Sequence, residues 1–201
     1  MTETFGLISG LIVALSAIPY GIRVYQRKIR PNMVGWSIWA FIGLALLLTY
    51  ESSGAKANVW PAVFGFLSPS AIAILAIWRG ERERPKWYEI MCAFFGLFSI
   101  GLWYFLRADK ELAQYALYTA IVADIWAFIP TIIWVLRHPE HDRPLMWGMF
   151  GFGYGISIFA ITDHTIANYS LPVYMFFSAM LVATILAKHR IRRGIPVREC
   201  I

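Results

Sequence analysis

The sequence predicts an all-α integral membrane protein, with seven transmembrane helices forming two parallel three-helix repeats joined by an inverter helix. Three observations predict it. Of the 201 residues, 59% are hydrophobic and only 15% are charged, against roughly 25% charged in soluble domains. The apolar residues fall in blocks of about 20, the length that crosses ~30 Å of hydrocarbon as a helix, and they lack the period-two alternation of barrel strands. The first three blocks also return as the last three, displaced by 111 positions without a gap. Pro19 falls on Pro130, Trp36 on Trp147, Pro61 on Pro172, Phe66 on Phe177 and Arg79 on Arg190. That offset skips four helices, an even number, so both units point the same way and the fourth helix inverts the chain between them.

The expected spans are 5–26, 33–50, 59–78, 87–106, 112–136, 145–162 and 170–189. The first follows Met1-Thr2-Glu3-Thr4, which lacks the basic start of a signal peptide, and it is too long for a signal-peptide apolar region. It contains Pro19, the mate of Pro130 in the fifth span; each proline removes a backbone hydrogen bond and crowds the preceding turn, so the pair reads as two matched hinges. The third span carries Ser68-Pro69-Ser70, which is expected to interrupt its helix. The sixth carries Gly148, Gly151, Gly153 and Gly155, spaced to let neighbouring helices approach. The organisation is therefore a first bundle at 1–80, an inverter helix with its loops at 81–111, a second bundle at 112–190 and a basic tail at 191–201.

Orientation follows from the basic residues. Loops 1–2, 3–4 and 5–6 and the tail hold Arg27, Lys28, Arg30, Arg79, Arg82, Arg84, Lys86, Arg137, Arg143, Lys188, Arg190, Arg192, Arg193 and Arg198, while the other side has only Lys56, Arg107 and Lys110. The positive-inside rule then puts the N-terminus outside and the C-terminus in the cytoplasm; few cysteines and a compact chain fit a bacterial inner membrane. The net charge of +6 is mostly this topology signal, and a nucleic-acid partner is not expected. Cys92 and Cys200 have no metal spacing, and His138, His141, His164 and His189 sit in loops or at span ends. No cofactor is expected.

Asp124 is the sharpest single residue. It stands near the middle of the fifth span, where a carboxylate costs on the order of 2.5–3.5 kcal/mol on insertion scales. It must face the bundle interior, as a substrate contact, a proton-coupling group or a structural acceptor. Its repeat mate is Val13, so it breaks the symmetry. The stripe 124, 127, 131, 134 corresponds to Val13, Ser16, Tyr20 and Arg23, which puts Tyr20 on the matching polar face. Arg23 lies about ten residues from the level of Asp124, roughly 15 Å along the axis, and reads as a snorkelling residue or an inner gate. Trp39, Trp126, Phe128 and Tyr154 lie deeper than the interfacial aromatics and are candidates for a pocket wall, and Ser68 for a polar contact within it.

Ser16-Ala17-Ile18-Pro19-Tyr20, then Tyr25-Gln26-Arg27-Lys28, Gly35-Trp36-Ser37-Ile38 and Leu47-Leu48-Thr49-Tyr50 resemble a unit of the PQ-loop/SWEET transporter superfamily, with Ile129-Pro130-Thr131 as the second-unit counterpart. The nicotinamide riboside (vitamin) transporters share the same three-plus-one-plus-three plan. The sequence departs from the pattern: Tyr20 rather than Gln follows Pro19, and Pro31 and Pro144 precede their helices. The resemblance implies substrate contacts from asparagines on helices 3 and 7, for which Asn58 and Asn168 at the outer ends are the only nearby residues.

The leading expectation is a carrier for a small polar molecule, sugar-like or vitamin-like, working by alternating access. Its partners would be that substrate, the lipid bilayer and, through Asp124, protons; a homo-oligomer is compatible with it. A non-transporting receptor or assembly protein on the same fold stands as the alternative. A retinal protein would need a lysine mid-membrane in helix 7, where the only lysine, Lys188, sits at the end. An intramembrane enzyme would need more than one carboxylate and scattered serines.

Overall fold

The computed structural model describes residues 1–81, 84–139 and 143–194. It is all-helical: α1 (Thr2–Tyr25), α2 (Met33–Ser52), α3 (Trp60–Arg79), α4 (Trp87–Leu106), α5 (Lys110–Arg137), α6 (Pro144–Ser157) and α7 (Ile166–Arg192), with 3-10 turns at Ala57–Val59 and Ile158–Ala160. Arg82, His141, Arg198 and Cys200 lie outside the described residues, as does the tail beyond Gly194.

Six helices are long and apolar enough to cross a membrane; Pro144–Ala160 is apolar but shorter. The sixth span therefore differs from the expected 145–162. Helix α6 ends at Ser157, tightens into a 3-10 turn, and Ile161 is extended. Its four glycines weaken helix propensity. Beyond the turn, Asp163 forms an ion pair with Lys110 at the start of α5. A second correction concerns α3, which runs unbroken through Ser68-Pro69-Ser70. Pro69 removes the N–H that would hold the Gly65 carbonyl. That carbonyl faces Gly43 of α2, where a Cβ would stand 3.0 Å from it, so the freed group is accommodated by a close helix approach. Helices α1 and α5 likewise run through Pro19 and Pro130 without a break.

Backbone pairing ties the loops at one end of the bundle and a side-chain ion pair those at the other. At the basic end, Met33 N–H donates to Glu81 C=O (3.1 Å) and Glu81 N–H to Pro31 C=O (3.0 Å), tying the α1–α2 loop to the α3–α4 loop. At the opposite end, the Lys110 side chain packs over Gly54 of the α2–α3 loop as it reaches Asp163 of the α6–α7 loop.

Helix α3 packs on both α1 and α2, and α7 on both α5 and α6. Helix α1 crosses to α6, and α2 crosses to α5; α2–α7 and α3–α6 meet more lightly. Exchanging α1 with α5, α2 with α6 and α3 with α7 carries each of these contacts onto another. Helix α4 packs on α2 and α5, joined to them by Trp103 Nε1–H donating to Ser52 Oγ (2.8 Å) and Ser99 O–H donating to Ala116 C=O (2.8 Å).

The core is built where these helices cross. Val13, Ile42, Leu46, Leu117 and Leu171 are buried in its main cluster, and Phe128, Val135, Val182 and Leu186 form a smaller one toward the basic end. The α6 glycines set the spacing: a Cβ on Gly153 would meet Val13 of α1 at 2.7 Å, and one on Gly155 would meet Phe176 of α7 at 2.9 Å. The outward faces carry exposed Leu11, Leu15 and Ile18 on α1 and Phe94, Leu97 and Phe98 on α4, as a lipid-facing surface requires.

Candidate functional site

Asp124 is placed by α5, whose start is capped by the Asp109 side chain accepting from Glu111 N–H (2.8 Å). Fourteen residues on, mid-helix, the carboxylate is only 2% exposed. Burial of that kind demands a donor, and Tyr174 of α7 supplies it: its hydroxyl donates to Asp124 Oδ2 at 2.7 Å. Displaced by 111, Asp124 and Tyr174 become Val13 and Val63. Under that displacement a polar pair falls on an apolar pair.

One turn toward the basic end, on the same face of α5, Phe128 makes T-shaped contacts with two indoles. Its ring centroid is 6.4 Å from Trp39 of α2 and 5.8 Å from Trp147 of α6. Tyr20 stays apart from this layer: it pairs with Trp36, ring to ring at 5.0 Å, with Trp36 Nε1–H donating to its hydroxyl at 3.3 Å. Arg23 is half-buried in the last turn of α1, at the basic end.

At the opposite end, two phenols cross between the helix triplets. Tyr50 of α2 donates to the backbone carbonyl of Asn168 on α7 (2.8 Å), and Asn58 Nδ2–H donates back to the Tyr50 oxygen (2.5 Å). Tyr154 of α6 donates to the Pro61 carbonyl of α3 (3.2 Å). The first bond has a covalent cause. Pro172 lacks the N–H that would hold the Asn168 carbonyl in α7, and Tyr50 replaces it. Asn168 Nδ2–H donates to Asp163 C=O (2.8 Å), which links the knot to the Lys110–Asp163 pair.

The expected site residues therefore occupy three levels. Asp124 is central. Trp39 and Phe128 come together beside it, while Tyr20 lies nearer the basic end. Asn58 and Asn168 join each other through Tyr50, away from Asp124. Tyr154 is buried between these levels, its hydroxyl turned to α3. Ser68 is half-buried on α3. Trp126 is not part of the group: two residues from Asp124, it faces outward at 40% exposure, because a helix turns about 200° in two steps. Tyr174 and Tyr50 were not among the candidates. Tyr174 was legible as a second position where the 111-residue displacement sets a polar residue against valine.

Compared with known proteins, the chain matches no family model, no curated protein and no solved structure.

Proposed function

We propose that this chain is a membrane transporter of a small polar molecule, a divergent relative of the PQ-loop/SWEET superfamily, operating by alternating access between α1–α3 and α5–α7. In this reading the two triplets are parallel repeats and α4 is the inverter. The membrane in this reading is a bacterial inner membrane, and the positive-inside rule favours the basic end on the cytoplasmic side. Asp124 is the substrate contact and the candidate proton-coupling group. Pro19 and Pro130 serve as hinges, and Arg23 as an inner gate.

The observation that carries the proposal is the Asp124–Tyr174 pair, buried at mid-helix in a chain with six helices apolar enough to cross a membrane. A carboxylate there is costly, and intramembrane carboxylates mark substrate and ion pathways. The contact pattern, unchanged when the triplets are exchanged, supports two units able to rock about a shared centre.

The test is uptake by proteoliposomes of a panel of sugars, amino acids, amines and vitamins. We expect at least one solute to be taken up, with Asp124→Asn reducing its uptake at least tenfold. Failure of every solute to enter would sink the transport assignment. One observation favours the second reading, a receptor or assembly protein on the same fold: Asp124 is almost without exposure. That reading predicts a protein partner retained through purification and no uptake.

A further inference from the structure

We infer that the ligand of the Asp124 site is a small organic cation, a protonated amine or a quaternary ammonium, held by the carboxylate and by the faces of Phe128, Trp39 and Trp147. The inference rests on the transport reading only for the ligand's route in; binding itself is measurable without it.

Charge balance is the first ground. Asp124 is buried, and its hydrogen-bond donor is a neutral phenol. Among the described residues no Lys, Arg or His forms an ion pair with it. On α5 the nearest basic residues, Lys110 and Arg137, stand 14 and 13 residues away; on α7, Lys188 stands 14 residues from Tyr174. Those separations amount to about 20 Å of helix rise. A buried carboxylate without a fixed counter-charge favours a mobile one, and the bilayer interior strengthens that pairing.

The second ground is the wall beside it. Phe128 is one turn from Asp124 on the same helix face and contacts both Trp39 and Trp147 edge to face. Aromatic faces attract ammonium groups, more strongly once water is excluded. The carboxylate and Phe128 thus stand about one helical turn apart on one face of α5, a charge beside aromatic rings, which is the combination an ammonium group favours.

The third ground is what the interior lacks. A polyol needs several free donors and acceptors. Here buried hydroxyls are committed to backbone carbonyls: Ser9 donates to Gly6 C=O, Ser16 to Val13 C=O, Thr49 to Ala45 C=O and Ser157 to Tyr154 C=O within their own helices, at 2.6–2.7 Å, and Ser99, Tyr50 and Tyr154 to other helices. The site is poorly equipped for a sugar and well equipped for a cation.

The experiment uses the purified full chain in detergent. Thermal unfolding and equilibrium binding are followed with choline, tetramethylammonium, ethanolamine and putrescine, each beside a neutral counterpart such as 3,3-dimethyl-1-butanol for choline. At least one cation should raise Tm by roughly 3 °C or more at saturation, with its neutral counterpart inert. Asp124→Asn, which still accepts from Tyr174, should abolish the shift, and Phe128→Leu should weaken binding about tenfold. Circular dichroism at 20 °C establishes that each variant is folded. If no cation binds, if the neutral counterpart binds equally, or if Asp124→Asn binds as the parent does, the inference is overturned. Uptake of a neutral solute without cation binding would overturn it and leave the transport reading standing. Cation binding without uptake of any solute would support it and overturn transport.

Discussion

The Tyr50 hydroxyl resolves a problem created elsewhere in the chain. Pro172 leaves the Asn168 carbonyl without its helical donor, and the carbonyl is buried, so it must be satisfied from another helix. Tyr50→Phe removes that donor and strands the Asn58 amide as well. The expected cost is ~1–3 kcal/mol, read as a lowered midpoint in thermal or SDS unfolding. Pro172→Ala restores a backbone N–H at the right place. In the Tyr50→Phe background it should therefore recover more than half of the loss, whereas in the parent chain it should gain little. This double-mutant cycle isolates the coupling between two residues far apart in sequence; additive effects would mean that the hydroxyl and the proline act independently.

Among the helices, α6 is the one whose sequence and packing depend most on each other. Gly153 has no room for a side chain: a Cβ would lie 2.7 Å from Val13 Cγ2 and 2.9 Å from the Ser9 carbonyl oxygen. Gly101 of α4 has nothing within 4 Å. Gly153→Ala should thus destabilise by ~1–3 kcal/mol through overpacking of α1 against α6, while Gly101→Ala stays within ~0.5 kcal/mol of the parent. Denaturation of both variants in one detergent makes the comparison, and equal effects would remove α6 as a close-contact wedge. The glycine spacing was visible in the sequence because small residues in an apolar helix have few other uses. So were the number of helices and the isolation of Asp124, which follow from hydropathy and from the cost of a charge. Two features were not legible. Nothing in local sequence reveals that Ser68-Pro69-Ser70 stays helical, since the Gly65 carbonyl is accommodated by α2, a tertiary contact. Nor does depth along one span tell which way Trp126 points until the neighbours of α5 are known.

For the whole molecule, the described residues join the helices by different means toward the two ends. Toward the basic end the contacts are aromatic, with Trp39, Phe128 and Trp147 packed together and Tyr20 on Trp36. Toward the other end they are polar, with Tyr50 and Tyr154 each donating to the backbone of the opposite triplet's third helix. The coupling energy of a hydrogen bond between membrane helices is modest, about 0.6 kcal/mol on average and up to about 1.7, and stranding a buried carbonyl costs ~1–3 kcal/mol. Removing both should therefore bias the separation of the triplets at this end without unfolding either. Val13 is a suitable reporter: it is fully buried and packs on Gly153 across the boundary between α1 and α6. With Cys92 and Cys200 replaced by Ser, Val13→Cys should resist a membrane-impermeant thiol reagent applied to the face bearing Lys56 and Lys110. Adding Tyr50→Phe with Tyr154→Phe should raise the labelling rate from that face at least tenfold, with little change from the basic face. Equal gains from both faces would indicate general loosening, and no gain would mean that the two phenols do not hold the triplets together. A one-sided gain would make them the latch of one gate, with the aromatic contacts left to hold the other end.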